Sequence, residues 1–411
     1  MVRSPRAVLL TGNVLCNNPR VIKEADTLAE AGWDVEVLGA WVTTEFMERD
    51  RELVANRPWR FTPVIEPTAS SWPRLRARVA REVGTRLGWQ SRWQLGYAAS
   101  ELLAAALPRE ADIYVAHSEQ ALWVAHQLAR RGRRIGVDFE DWFSRDHGAD
   151  ARPARAEAII EDLERAVIRV ASTRTCPSYA MSTALGSAYA SGTPTVVYNA
   201  FPWSDRARLD GRRCDRTSSV RPSILWYSQT IGPGRGLEVL CAALAEVDDD
   251  AEVHVRGTGN DAYKARLHAS LPERWQTRLF FHSPVSNDEL SSRIAEHDIG
   301  FSCEDATAPS RDLTITNKML HGLVAGLAMV ASDTAGTREV ASMAPGAIQI
   351  FDASRPSTLA ACLRLLLRNP VALAAARTAA LDAAHRTFSW ERQQSVLRDL
   401  FARAVAGAHS A

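Results

Sequence analysis

At 411 residues the chain is long enough for roughly two or three domains, each with a buried core of its own. Hydrophobic residues make up 46% and charged residues 24%, with a formal net charge of +1, which excludes a disordered chain and a protein drawn to nucleic acid by its overall field. Six cysteines (Cys16, Cys176, Cys214, Cys241, Cys303, Cys362) stand apart, with no C-x-x-C pair or close His partner, so they read as reduced thiols and not as a zinc centre.

Basic residues open the chain, but 7–10 is too short for the apolar core of a signal segment and 11–19 is largely polar, so a first strand is expected there. No apolar run approaches the length of a bilayer span. A cytoplasmic protein is expected, with a peripheral place on the inner face of the plasma membrane left open. Residues 20–31 read as an amphipathic helix closed by Gly32, and 34–38 as the next strand, which completes a β-loop-α-β unit. In the stretch 72–93, Leu75, Val79, Val83 and Leu87 recur every four residues among Arg74, Arg76, Arg78, Arg81 and Arg86, with Trp72, Trp89 and Trp93 at the flanks. A helix so built either lies on an anionic bilayer or packs its stripe on the first domain, and both readings stay open.

A strand at 113–116, a helix at 118–130 and a strand at 135–139 follow, then a long charged helix over 153–171 and strands at 173–177 and 195–198. Residues 205–222 carry many charges without apolar periodicity and read as a linker between domains. The alternation restarts with strands at 223–227, 251–256, 279–282, 299–303, 327–331 and 347–351, separated by helices that include 235–245, 262–271 and 287–295. Alanine-rich helices from 356 onward end in one over 390–406. The fold class is therefore α/β: two doubly wound, Rossmann-like domains over 1–204 and 223–388 facing a central cleft, with a C-terminal segment, 389–411, expected to pack back on the first domain.

The chemistry is concentrated at the strand ends. Thr316, Asn317 and Lys318 enter a short helix stopped by Gly326, and a lysine beside unpaired helical N–H groups suits a phosphate, although a solvated cap is the plainer reading. Arg235 sits among Gly232, Gly234 and Gly236; it could offer a planar fork to phosphate oxygens or simply be a solvated first-turn arginine. Gly12 and Asn13 occupy the loop after the first strand, which is neither G-x-G-x-x-G nor G-x-x-x-x-G-K-[ST], so a nicotinamide cofactor and a phosphate-cleaving motor are disfavoured. His117 ends a strand, where a lone histidine is more often structural than a proton carrier. Glu140 and Asp141 follow the strand at 137; they could bind acceptor hydroxyls, act as a base or cap the next helix. Asp248, Asp249 and Asp250 read as a solvated turn, and no metal site is expected.

Several segments, in order, resemble the retaining glycosyltransferases of GT-B fold called family 4. They are the opening from Asn18-Pro-Arg-Val-Ile-Lys-Glu-Ala onward, Ala116-His117, Val137-Asp-Phe-Glu-Asp141, Gly232-Pro-Gly-Arg-Gly-Leu, Arg256-Gly-Thr-Gly259 and Asn317-Lys-Met-Leu-His-Gly. The resemblance implies transfer of a hexose-type sugar from a nucleotide diphosphate to a glycan or lipid-linked acceptor, with no cofactor beyond that co-substrate and no metal. It implies catalytic roles for His117, Arg235 and Lys318, donor contacts from Gly12, Asn13, Gln229, Gly257, Gly259, Thr316, Asn317 and His321, and acceptor contacts from Glu140 and Asp141. The chain departs from the family's pattern where two glutamates eight residues apart are usual: Leu313 and His321 stand there, with Asp312 and Glu304 as substitutes. Ser228-Gln229 likewise replaces the usual Gly-Arg. Two other functions stay open: a non-catalytic module that keeps the fold, and another enzyme of this fold such as a sugar-nucleotide epimerase.

Overall fold

A computed structural model describes residues 3–66, 72–89, 91–146, 157–218, 220–304 and 306–406. The chain forms two compact units. The first comprises Met1–Val197, Ala308–Ser310 and Gln394–Ala411; the second comprises Tyr198–Thr307 and Arg311–Gln393.

The first unit is built on seven strands: β1 (Arg6–Leu10), β2 (Asp34–Ala40), β3 (Arg60–Ile65), β4 (Ile113–Ala116), β5 (Ile135–Asp138), β6 (Thr173–Cys176) and β7 (Thr195–Val196). All pair in parallel, in the order β3-β2-β1-β4-β5-β6-β7. The centre of such a sheet is covered on both faces, which is why Ala7, Val8, Leu9 and Leu10 are all fully buried rather than alternating. The order reverses between β1 and β4, which opens a crevice at the carboxyl ends of those strands. β3 lies at the edge, where Pro63 removes an N–H that a central strand would need.

The second unit has six parallel strands, β8 (Ser223–Ile231), β9 (Glu252–Gly259), β10 (Leu279–His282), β11 (Ile299–Ser302), β12 (Ala328–Ser332) and β13 (Ile348–Phe351), in the order β10-β9-β8-β11-β12-β13. Here the reversal falls between β8 and β11. Trp226, Trp275, Phe301 and Phe351 anchor its core, each fully buried. Burial of such a side chain contributes about 1.5–3 kcal/mol.

Several boundaries differ from the sequence reading for identifiable reasons. β8 and β9 run on past an irregularity between Tyr227 and Thr230, so both strands are longer than the apolar pattern indicates. Gly236 is left-handed (φ 82°), so the next helix starts at Leu237 and Arg235 stands in the loop before it. The helices Thr44–Val54, Ala99–Ala106 and Tyr179–Tyr189, and β3, lack a strong apolar period and are found only in the structure. The charged helix read over 153–171 is described from Glu157 to Val170, its first residues lying outside the described ones. The last helix, Trp390–Ala406, sets Phe401 edge-on to Trp33 at 5.8 Å and Arg398 against Glu30 at 3.0 Å, both within the first unit.

Of the stretch read as a linker, 205–208 finish a 3-10 helix (Trp203–Arg208), and the described residues that follow are irregular but firmly held. Asp210 accepts from Arg293, Asp215 from Arg256, and the Asp210 and Asp215 amides donate to Ser292 Oγ and Glu296 Oε2 at 3.1 and 3.0 Å. The segment is thus part of the second unit's surface. On the helix Trp72–Leu87, the small residues Ala77 and Ala80 face inward and Arg76 pairs with Glu101 at 2.9 Å, while Leu75, Val79 and Leu87 are 48%, 51% and 77% exposed.

Candidate functional site

In the first unit the loops after β1, β4 and β5 converge on a buried polar cluster. Asn18 caps the helix Pro19–Glu30 by accepting from the Val21 amide, and Pro19 begins it at a position where no N–H is needed. That helix then carries Arg20 and Glu24 inward. Arg20 donates through Nε to Asp138 Oδ2 at 2.7 Å and through a second nitrogen to the Val197 carbonyl at 2.5 Å. His117, directly after β4, has no exposed surface. Its Nδ1 lies 3.1 Å from Glu140 Oε1 and its Nε2 3.3 Å from Glu24 Oε1. Asn18 Nδ2 donates to both oxygens of Glu140 at 3.0 Å.

Burial alone would pull the His117 pKa down. The Glu24 charge, the hydrogen bonds to Glu140 and Glu24, and the Asp138 charge outweigh it and push it up to about 10, so the ring is an imidazolium held between carboxylates. Glu24, His117 and Asp138 bring ligand-type atoms within 4.8 Å of one another. Those atoms do not suit a cation, because the Arg20 guanidinium and the His117 proton already neutralise the carboxylates. Gly12 donates to Ser118 Oγ at 2.9 Å, Asn13 is exposed with its amide on Thr11 Oγ1 at 3.1 Å, and Asp141 is half-buried beside Glu140.

In the second unit the cations follow β8 and β11, the strands that flank the reversal: Arg235 in the loop after β8, and Lys318 in the first turn of the helix Asn317–Ala325 that follows β11. Arg235 is exposed and donates to Ser228 Oγ at 3.1 Å. The two loops touch closely, since a Cβ on Gly236 would lie 2.3 Å from Cys303 Cβ. Gly257 has φ +154°, and a Cβ there would lie 2.3 Å from the Ser228 carbonyl, so only glycine lets β9 run this close to the Gln229 turn. Gly259 packs likewise against Ile231, and Gln229 is exposed at the strand end. Thr316 caps the helix Asn317–Ala325, its hydroxyl accepting from Met319 and lying 3.0 Å from Ser302 Oγ. Asn317 accepts from Asn199 at 2.9 Å, and Lys318 lies 3.5 Å from Glu304.

Of the two positions that depart from the family's glutamates, Leu313 is half-buried and His321 is engaged within the unit. His321 is buried, stacked on Phe201 at 3.9 Å and bonded to Ser291 Oγ at 3.0 Å. Of the two substitute carboxylates, Asp312 accepts from the Ala335 amide at 3.0 Å at the start of the following helix, and Glu304 faces Lys318. The structure therefore places Arg235 after β8 and Lys318 in the helix start that follows β11, brings His117 to Glu140, and turns His321 against Phe201 and Ser291. Reasoning from sequence missed Asn18, Arg20, Glu24 and Asp138. The spacing of Arg20 and Glu24, four residues apart on an otherwise apolar helix face, was the available signal.

Solved structures share this architecture at low identity. Sucrose-phosphate synthase from Thermosynechococcus elongatus matches with TM-score 0.74 and 14% identity, covering 98% of this chain and 100% of that chain. A UDP-forming trehalose-phosphate synthase from Burkholderia xenovorans matches at 0.70 and 13%, covering 100% of both chains. HepE of Anabaena in complex with UDP matches at 0.69 and 15%, covering 98% and 100%. Residues 221–369 match the family described as Glycosyl transferases group 1. The chain has the GT-B fold of these structures, and within it residues 221–369 carry the likeness to the glycosyltransferase family. No curated protein matches the sequence.

Proposed function

We propose that this protein of GT-B fold is a glycosyltransferase that moves a hexose-type sugar from a nucleoside diphosphate to a glycan or lipid-linked acceptor with retention and without a metal ion. One observation carries the reading: Arg235 stands in the loop after β8 and Lys318 in the first turn of the helix that leads from β11 to β12, and β8 and β11 are the two strands at which the sheet order reverses. Breaking the bond between the anomeric carbon and the phosphate leaves negative charge on the diphosphate, and fixed cations there stabilise the transition state more than the ground state. The Arg235 fork engages two phosphate oxygens and the Lys318 ammonium, exchanging Glu304 for phosphate, a third. The acceptor hydroxyl forms the new bond on the same face, and its proton passes to the departing phosphate, so no protein base is needed. His117, buried and doubly engaged, acts as a positioning residue for the β1 and β4 loops.

A lipid-linked acceptor at a membrane surface is supported by the outward stripe of Leu75, Val79 and Leu87 beside exposed Arg74, Arg78 and Arg86. Because HepE was solved with UDP-glucose, uridine donors are the first to test. The protein is incubated with UDP- and GDP-sugars, with and without membrane extract, and nucleotide release is followed. Release that depends on the acceptor supports the proposal. No release, together with no thermal shift by any nucleotide, overturns it in favour of a non-catalytic module.

A further inference from the structure

The second unit carries another concentration of positive charge, at the opposite ends of its strands from Arg235 and Lys318. A cavity of about 500 Å³ is lined by Arg206, Arg212, Arg213, Arg216 and Arg377, against two carboxylates, Glu296 and Asp298. It opens where β11 and β12 begin, since Asp298 and Gly326 lie just before those strands. At about 3.3 Å per residue, the four residues of β11 alone set it more than 10 Å from the donor loops.

Part of this cavity is rigid. Asp298 receives Arg216 at 3.0 Å on one oxygen and Arg377 at 2.7 Å on the other, and Arg206 is fixed by the Val324 carbonyl at 2.6 Å. Both carboxylates are therefore engaged by protein groups: Glu296 accepts from the Asp215 amide and faces Arg293 at 3.3 Å. The Arg216 side chain is only 4% exposed, and its Nε has no hydrogen-bond partner among the described residues. Arg212 and Arg213 stand exposed at the mouth. Arg216 also donates to the Glu296 and Arg221 carbonyls and Arg377 to the Gly326 carbonyl, so these guanidiniums are held in place and an anion entering the cavity would meet preorganised donors. The volume falls in the range of small-molecule sites, and guanidinium forks match phosphate geometry.

We infer that this cavity is a second anion site, separate from the donor site, for a small molecule carrying two phosphate groups. Arg212 and Arg213 would close on one phosphate, and Arg216 and Arg377 would meet the other. Inorganic pyrophosphate and a hexose bisphosphate share this chemistry, and both are used as probes.

The test is calorimetric titration of each probe, against sodium chloride at matched ionic strength, into Arg235→Ala/Lys318→Ala protein, which removes the donor-site cations. The expected result is saturable 1:1 binding of at least one probe that weakens tenfold or more when Arg212→Ala and Arg213→Ala are added. No saturable binding in the donor-site variant, or a smaller loss on removing the two arginines, overturns the inference. The stronger probe tells whether an inorganic or a sugar-borne diphosphate is the better fit. Both arginines are exposed, so the added changes should leave the melting temperature in place. Should it fall, the Arg212→Lys/Arg213→Lys pair substitutes, expected to keep the fold and to bind at least threefold more weakly; unweakened binding there overturns the inference too. Because the donor cations are absent throughout, failure here leaves the proposed transfer reaction untouched.

Discussion

Replacing His117 with Gln should flatten the pH dependence of the first unit's stability between pH 6.5 and about 10. The folded ring binds its proton more tightly than an unfolded histidine does. Its contribution is therefore complete below about pH 6.5 and is lost as pH rises through about 10. Each pH unit across that window costs about 1.4 kcal/mol, so the structure sets a ceiling of roughly 5 kcal/mol. Glu140, which burial pushes up, shares the titration with His117, and half the ceiling, about 2–3 kcal/mol, is the working figure. For a unit of this size that corresponds to a fall of about 4–12 °C in melting temperature.

The assay compares urea unfolding of the native protein and His117→Gln from pH 6 to pH 10, with hydrogen exchange of the β1 and β4 amides as a readout confined to this unit. The native curve should fall by about 2–3 kcal/mol more than the variant's over that range. Other groups that titrate near pH 10 act on both proteins and cancel in the difference. Parallel curves would mean that the ring is neutral between its two glutamates, and the charge assignment on which the cluster rests would be wrong.

Lys318→Ala and Arg235→Ala should each lower kcat/KM for nucleotide-sugar turnover by roughly 10²–10³, with Arg235→Lys recovering only part; an unchanged rate in both variants would remove them from the chemistry. Glu164 is buried and bonded to Ser144 and Tyr189, and burial raises its carboxyl to about 7, so its contribution is present below pH 4.5 and lost as pH rises through 7. Glu164→Gln should abolish that fall in thermal melts between pH 4.5 and 7. Leu75→Ser/Val79→Ser should reduce flotation with anionic liposomes several-fold without lowering the melting temperature, because both side chains already face solvent; equal flotation would retire the membrane surface.

Most of the architecture was legible because parallel strands write themselves as short apolar runs. The strands at 113–116 and 279–282 fall where the runs placed them. β3 was not legible, since Pro63 and an edge position interrupt the run. The two cations could be read from their neighbours, Gly234 and Gly236 around Arg235 and the Thr316 cap before Lys318. The cluster around His117 could not, because Glu24 and Glu140 are far apart in sequence and meet only when β1, β4 and β5 align. The stripe on the helix Trp72–Leu87 is a subtler case. Periodicity identified the face, but whether it packs depends on Ala77 and Ala80, whose small size lets the opposite face come close to the domain.

The two strand-end clusters are built on opposite electrostatic principles, and that contrast supports the division of roles proposed for them. In the first unit Arg20 and the His117 imidazolium offset three carboxylates in a site almost without solvent, where every shift in charge is costly. Such a cluster holds loops in one geometry and is poorly suited to follow charge as it develops on a substrate. In the second unit Arg235 is exposed and Lys318 has, among the described residues, one long ion pair, so both can turn toward an incoming anion at little cost. A reaction that creates negative charge on a leaving group therefore has its responsive partners in the second unit. The family's missing carboxylates fit the same division. His321 has gone to packing against Phe201 and Ser291, while Arg235 and Lys318 remain beyond the carboxyl ends of the two strands that flank the reversal.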